Sequence, residues 1–393
     1  MTTLKLADRI NRIQPSATLA VSARADVLRK EGKQIINLSV GEPDFDTPDY
    51  IKKAAILAIE KGLTKYTAVE GTTSLKEAVI RKFANENHLT YAADQIIVSS
   101  GAKHSLFNVF AVLLNPDDEV IIPAPYWTSY PDMVLLADGK PVIVSATMAQ
   151  QFKITPQQLK AAITPKTRLV ILNSPSNPTG MAYTAAELKA LGEVLLPHPD
   201  IMIASDDIYE HNLWHTPPFV NIVNACPALY DRTIVVNGVS KTYAMTGWRI
   251  GYAAGPKAII SAMKKAQSQS TSNPSSISQY AAEAALTGDQ TSIRQMTAAY
   301  KERHDYLVGE LQSIAGIQCL PSDGTFYIFP LISGLYDRTG TKDDLQFAEY
   351  LLDKAELAVV PGSAFGAPHH VRLCYTTSMA SLKEAVLRLK KVL

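Results

Sequence analysis

The stretch Gly238-Val239-Ser240-Lys241-Thr242-Tyr243-Ala244-Met245-Thr246-Gly247-Trp248-Arg249-Ile250-Gly251 decides how this chain is read. It lies between two β-branched segments, residues 234–237 and 250–253, and so forms a polar loop at the exit of an apolar strand. The loop carries one lysine, Lys241, and one arginine, Arg249. A lysine amine condenses with an aldehyde, and with a lowered pKa it also serves as a base near neutral pH. Other chemistries fail here. A nucleotide P-loop needs glycines where Val235 and Ser240 stand. The sharp turn of a serine hydrolase needs glycine where Thr242 stands.

Working outward, β-branched segments recur at residues 96–99, 120–123, 142–145, 169–173, 202–205, 234–237 and 250–253. Candidate helices alternate with them, such as residues 103–114, 184–195 and 257–267. This alternation predicts an α/β fold with a largely parallel sheet covered on both faces. Next come Ile293, Met296, Tyr300, Leu307, Leu311 and Ile314, which fall on one helical face and predict a long helix joining two units. Segments 325–329, 358–360 and 371–375 read as strands and 382–393 as a final helix, a smaller α+β unit. The expected division is residues 48–288 as the large domain and 289–393 as the small one. Residues 1–47 are expected to belong to the small domain and the substrate mouth.

Composition excludes several classes. A chain of 393 residues, 47% hydrophobic and 19% charged, has the make-up of a globular protein with a sizeable core. Lys plus Arg number 38 against 37 Asp plus Glu, with no basic run, so neither nucleic acid nor an anionic membrane surface is an expected partner. Three dispersed cysteines, Cys226, Cys319 and Cys374, suit reduced thiols in a cytoplasm. No stretch has the apolar length of a signal peptide or a membrane span, so a cytoplasmic protein is expected. His211 and His215 have the i, i+4 spacing of a zinc pair, but Asn212 stands where a zinc protease carries its glutamate, and no metal is expected.

Three further segments complete a constellation. Ile203-Ala204-Ser205-Asp206-Asp207-Ile208-Tyr209 places carboxylates at a strand's carboxyl end, where α/β sheets bind ligands. Asn173-Ser174-Pro175-Ser176-Asn177-Pro178-Thr179-Gly180 follows another strand as a turn. Val98-Ser99-Ser100-Gly101-Ala102-Lys103-His104 runs from strand into helix, its small residues suited to backbone contact with an anion at the helix N-terminus. Together the four segments offer what a pyridine ring bearing a phosphate requires.

On these motifs, over nearly its whole length, the chain resembles the fold-type I, class I/II aminotransferases that use pyridoxal 5'-phosphate. It is most similar to their prokaryotic-type (Ib) aspartate aminotransferases. The resemblance implies that Lys241 holds the cofactor as a Schiff base, the internal aldimine, and shuttles the substrate's α-proton. It assigns Asp206 to the pyridine nitrogen, Tyr209 and Asn177 to the phenolic oxygen, and Trp127 to stacking on the ring. Arg249 and the backbone of Gly101 and Ala102 would hold the phosphate. Many relatives carry a phosphate-binding serine where this chain has Gly238, and Ser240 is a candidate replacement. Tyr66 matches a tyrosine that reaches the phosphate of a neighbouring subunit, implying a homodimer with a shared active site. The Asn177–Pro178 bond is a candidate cis peptide.

For the substrate, the resemblance assigns the α-carboxylate to Arg372 and the backbone N–H of Gly41, with Asn177 and Trp127 alongside. Lys103, assisted by Thr18, would meet a distal carboxylate. The implied reaction is ping-pong transamination of L-aspartate and 2-oxoglutarate to oxaloacetate and L-glutamate. Prephenate or aromatic amino acid transamination on the same fold stays open, as does, more remotely, a non-catalytic regulatory domain. Assembly beyond a dimer stays open too.

Overall fold

The computed structural model describes residues 5–214 and 218–393. Its strands are β1 (Ile36–Asn37), β2 (Ile96–Ser99), β3 (Glu119–Ala124), β4 (Lys140–Ser145), β5 (Thr167–Asn173), β6 (Met202–Asp206), β7 (Thr233–Gly238), β8 (Gly251–Ala254), β9 (Tyr327–Ile328), β10 (Leu357–Ala358), β11 (Val360–Pro361) and β12 (Val371–Cys374). A seven-stranded sheet runs in the order β2-β8-β7-β6-β5-β3-β4. Only β8 is antiparallel to its neighbours. This is the α/β architecture with a mostly parallel seven-stranded sheet that the strand-and-helix alternation predicts.

Alternate residues of each strand feed opposite cores, which is why the strands read as unbroken apolar runs. Ile96, Val98, Ile121, Val170, Leu172, Ile203 and Val235 enter one core. Ile97, Val120, Ile122, Leu169, Ile171, Ala204, Ile234 and Val236 enter the other. The parallel strands all end at the same edge. Register there sets Asn173 beside Asp206 and Ser99 beside Gly251, which in turn pairs with Gly238. Three of the four motif segments therefore meet at neighbouring strand ends, joined by the loop after β7.

A separate core gathers Leu38, Met296, Tyr300, Leu307 and Leu311 with Tyr327, Phe347, Leu357, Leu373 and Leu382. The helix Thr291–Gln312 supplies its long face, as the spacing from Ile293 predicts. Strands β11, β12 and β9 form an antiparallel sheet beside it. The N-terminal segment joins this side, since β1 pairs in parallel with β10 and Leu28 and Ile35 pack with Leu352 and Ala358.

Some boundaries differ from expectation. The strand expected at 358–360 is split into β10 and β11, which belong to different sheets. The last helix starts earlier, at Met379, because Ser378 caps it by accepting from Ser381 N (3.1 Å). Four helices that hydrophobic spacing leaves unmarked, Ala17–Lys30, Asp49–Glu60, Thr73–Asn87 and Ser276–Thr287, are also present. Among the described residues, no helix is long and apolar enough to cross a membrane.

Candidate functional site

The strand ends and residues 39–47 enclose a cavity of about 310 Å³ lined by Lys241, Asp206, Tyr209, Asn177, Trp127, Ala102, Ser240, Arg249, Gly41, Arg372, Lys103 and Thr18. These residues come from eight separate regions of the chain. Of the residues that the resemblance assigns to cofactor or substrate contacts, Gly101 and Tyr66 are outside the lining. Tyr66 is 92% exposed and does not border this chain's cavity.

Lys241 borders the cavity, and its amine donates to Gly41 O (2.6 Å). Desolvation by the surrounding protein lowers the Lys241 pKa to about 8, with the positive charges of Arg372 and Arg249 pushing the same way. An amine so placed is neutral in an appreciable minority near physiological pH, whereas an ordinary lysine is almost wholly charged. Asp206 is 4% exposed at the end of β6. Burial raises its carboxyl to about 6, and the Tyr130 hydroxyl, donating at 2.6 Å, holds the rise back by favouring the charged form. Asp207 is held elsewhere, accepting from Ser205 Oγ (2.7 Å) and from Asn221.

Tyr209 is buried and shares a 2.8 Å hydrogen bond with the Tyr327 hydroxyl. Burial holds its pKa well above the ordinary value, so it stays a neutral donor. Asn173 positions the next wall: its Nδ2 donates to Asp206 O (2.9 Å) and its Oδ1 accepts from Asn177 N (2.9 Å). The Asn177–Pro178 peptide is cis. Trp127 meets Tyr130 edge to face at 5.3 Å and carries Lys103 Nζ over its ring at 4.9 Å. Burial lowers the pKa of Lys103, and the Arg249 charge adds to this.

Arg372 is 2% exposed. Its Nη1 donates to Asn177 Oδ1 (2.9 Å) and its Nη2 to Ser39 O (2.6 Å), while its Nε is buried without a partner. Among the described residues, no carboxylate pairs with Arg372 or Lys103. A buried guanidinium bordering a cavity, with no carboxylate beside it, is suited to binding an anion.

At the anion side of the cavity, the helix Ala102–Leu113 begins at Gly101, whose φ of 94° suits glycine. The Gly101 N–H is turned onto Ser99 O (2.7 Å), and a Cβ there would run into the Arg249 guanidinium. Gly101 thus makes room for Arg249 while Ala102, Ser240 and Arg249 face the cavity. Gly238 has a related reason: a Cβ would press on Gly251 Cα and Ile250 O at 3.0 Å, because β7 and β8 approach closely. The residues present fit pyridoxal phosphate: a desolvated amine, a buried carboxylate, a tryptophan face, and a helix N-terminus with an arginine beside it.

Tyr130, Tyr327 and Ser39 escape sequence reasoning. Tyr130 stands three residues after Trp127 and Tyr327 lies in an expected strand, but neither pairing is local. Ser39 acts through its carbonyl, which leaves no mark in a sequence. His211 approaches Glu86 (2.9 Å) and Thr242 (3.3 Å); its notional zinc partner His215 lies outside the described residues.

The fold and this cavity mark an α/β enzyme whose pocket fits a phosphate-bearing pyridine cofactor, and comparison with known proteins gives its family. The sequence profile of the aminotransferase class I and II family matches residues 33–389. An aspartate/prephenate aminotransferase of Nitrosomonas europaea is 56% identical over 99% of this chain and 100% of its own length. An aspartate aminotransferase of Geobacillus stearothermophilus is 50% identical over 99% and 98% respectively. The crystal structure of the Rhizobium meliloti aspartate aminotransferase superposes with a TM-score of 0.96 at 48% identity, covering 99% of both chains. The Thermus thermophilus aspartate aminotransferase with maleate gives 0.94 at 41% identity, covering 100% of both. The chain belongs to the class I and II aminotransferase family.

Proposed function

We propose that the chain transfers the amino group of L-aspartate to 2-oxoglutarate, forming oxaloacetate and L-glutamate, with pyridoxal 5'-phosphate as cofactor. The observation that carries this reading is a pair of cations without carboxylate partners among the described residues, Arg372 and Lys103, on the walls of the cavity that also holds the Lys241 amine. Two cations suit a substrate with two carboxylates. Arg372 offers a planar fork for the α-carboxylate, with the Gly41 N–H beside it, and Lys103 with Thr18 would take the distal one.

When bound, pyridoxal phosphate supplies an aldehyde for the amino group and a ring that accepts the electron pair left when the α-proton departs. Lys241, partly neutral at physiological pH, would hold that aldehyde through its amine and would serve as the base that takes and returns the substrate's α-proton. Asp206 is charged above about pH 6 and would keep the ring nitrogen protonated. Asn177 and Tyr209 would hold the phenolic oxygen, and Trp127 would cover the ring. Ala102, Ser240 and Arg249, with the turn at Gly101, would bind the phosphate. Tyr66 would reach the phosphate of a second copy, making a homodimer with shared sites the working assembly. Its exposure in the single chain supports this assignment. The division at residues 1–47, 48–288 and 289–393 is supported by the separate cores, and the cytoplasm is the proposed location.

A second reading is favoured by one observation: the 56% identical relative is named for prephenate as well as aspartate. Prephenate also carries two carboxylates. A transamination panel of aspartate, aromatic amino acids and prephenate tests the assignment. Aspartate is expected among the best substrates, and its being far the poorest donor would reject the proposal. Borohydride reduction of cofactor-saturated protein should leave a pyridoxyl group on Lys241, and its absence there would reject the cofactor role.

A further inference from the structure

Both central groups of the site lean on backbone carbonyls of one short segment. Arg372 Nη2 donates to Ser39 O and Lys241 Nζ to Gly41 O, each at 2.6 Å. A carbonyl has no side chain to anchor it, so its position depends on what clamps the segment. Toward Lys241 the clamp is local to the cofactor loop. Thr47 Oγ1 donates to Ala244 O (2.6 Å) and accepts from Trp248 Nε1 (3.0 Å), while Glu42 accepts from the Thr246 hydroxyl. These contacts tie the segment to the loop, while Leu38 O accepts from Cys374 N (2.8 Å) and ties the start of the segment to the strand that carries Arg372.

A further clamp, at Asp44 and Phe45, comes from the helix Thr291–Gln312 of the other core. Arg303 Nη1 donates to Asp44 Oδ1 (2.7 Å). Its guanidinium lies over the rings of Phe45 (5.3 Å) and Tyr300 (5.6 Å), which meet each other edge to face at 5.6 Å. The Arg303 side chain is 11% exposed and that of Asp44 26%, so the pair is largely withdrawn from water. The segment has little slack: a Cβ on Gly41 would run into the Tyr327 hydroxyl. Arg303 does not line the cavity.

We propose that Arg303 is a positioning residue for the substrate α-carboxylate site. By holding Asp44 and Phe45 it places Ser39 O and Gly41 O, and through them the Arg372 guanidinium and the Lys241 amine. The inference rests on the reading of Arg372 as the α-carboxylate site. Both the charge and the flat guanidinium matter, because the same group pairs with Asp44 and stacks on two rings. A lysine keeps the first property and loses the second.

The test uses the cofactor-loaded enzyme with Arg303→Met, Arg303→Lys, Asp44→Asn and the double change Arg303→Met/Asp44→Asn. Maleate affinity, KM and kcat for aspartate, and melting temperature are measured together. Displacing a binding group through its support should weaken maleate and raise KM by about tenfold or more in Arg303→Met, with a smaller fall in kcat. Arg303→Lys should recover part of the loss. The double change should be no worse than Arg303→Met alone, since both act through one contact. Melting temperatures should fall by only a few degrees, since Asp44, 26% exposed, can reach water once its partner is removed. Unchanged maleate affinity and KM in Arg303→Met would overturn the proposal, and so would additive losses in the double change. If Arg303→Met does not fold, Asp44→Asn carries the same expectation and the same refutation. Failure of the parent enzyme to bind maleate would instead count against the assignment of Arg372 itself.

Discussion

Replacing Lys82 by methionine would leave a carboxylate buried without its opposite charge, about as severe a perturbation as one side chain can impose away from the cavity. Lys82, on the helix Thr73–Asn87, and Glu210, just after Tyr209, form an ion pair whose side chains are 1% and 4% exposed. Lys82 Nζ also donates to Asn87 Oδ1 (2.7 Å), and Glu210 accepts from Asn87 Nδ2 (2.7 Å) and Asn237 Nδ2 (2.8 Å). Burial pushes the Glu210 carboxyl up, but the Lys82 and His211 charges and the hydrogen bonds outweigh it and hold the pKa below its ordinary value. In the parent protein this carboxylate therefore contributes stability above its unfolded pKa, and the contribution is lost as pH falls through the lower folded value. Removing Lys82 reverses the sign, since burial then raises the folded pKa above the unfolded one. The penalty should be full at pH 8 and shrink toward pH 5 as Glu210 takes up a proton. Breaking a buried pair costs about 3–5 kcal/mol. At roughly 2–4 °C per kcal/mol for a unit of this size, the melting temperature should fall by on the order of 10 °C at pH 8. Thermal unfolding followed by circular dichroism, at matched protein concentration and at both pH values, reads the difference. Lys82→Met/Glu210→Leu, which removes both charges, should recover much of it. A fall of less than about 1 kcal/mol, or the same fall at both pH values, would refute the reasoning.

Three further outcomes follow from the site. Lys103→Met should raise KM for aspartate about thirtyfold, the equivalent of about 2 kcal/mol for a lost charge pair, and leave aromatic amino acids nearly unaffected; equal changes for both would remove Lys103 from the distal carboxylate. In the cofactor-free protein, acylation of Lys241 followed by peptide mass mapping should be half-maximal near pH 8, because desolvation lowers this amine; a midpoint near that of surface lysines would contradict the burial argument. Gly41→Ala should lower kcat/KM by about a hundredfold by driving a methyl group against Tyr327, with partial relief from Tyr327→Phe; full activity would show that the segment has room to shift.

Sequence alone was enough for whatever depends on local pattern. Apolar runs feeding two cores, helices between them, and a polar loop bearing Lys241 after β7 mark an α/β fold with a site at the strand ends. That edge is dictated by parallel pairing, and the motif residues Asp206, Asn177 and Lys241 lie on it because each ends or follows a strand. Tertiary structure decided the pairings between distant segments. Arg372 meets Asn177 across 195 residues and Lys241 meets Gly41 across 200, while Tyr130 reaches Asp206 across 76. The insertion of β8 between β2 and β7, which brings the turn at Gly101 against Arg249, is equally invisible in a linear pattern. Side-chain periodicity reports which face of an element is buried, but it does not report which element lies opposite. The carbonyls of Ser39 and Gly41 belong to the backbone and have no residue-type signature, so only the packing of residues 39–47 against Arg303 and Tyr327 shows what they support.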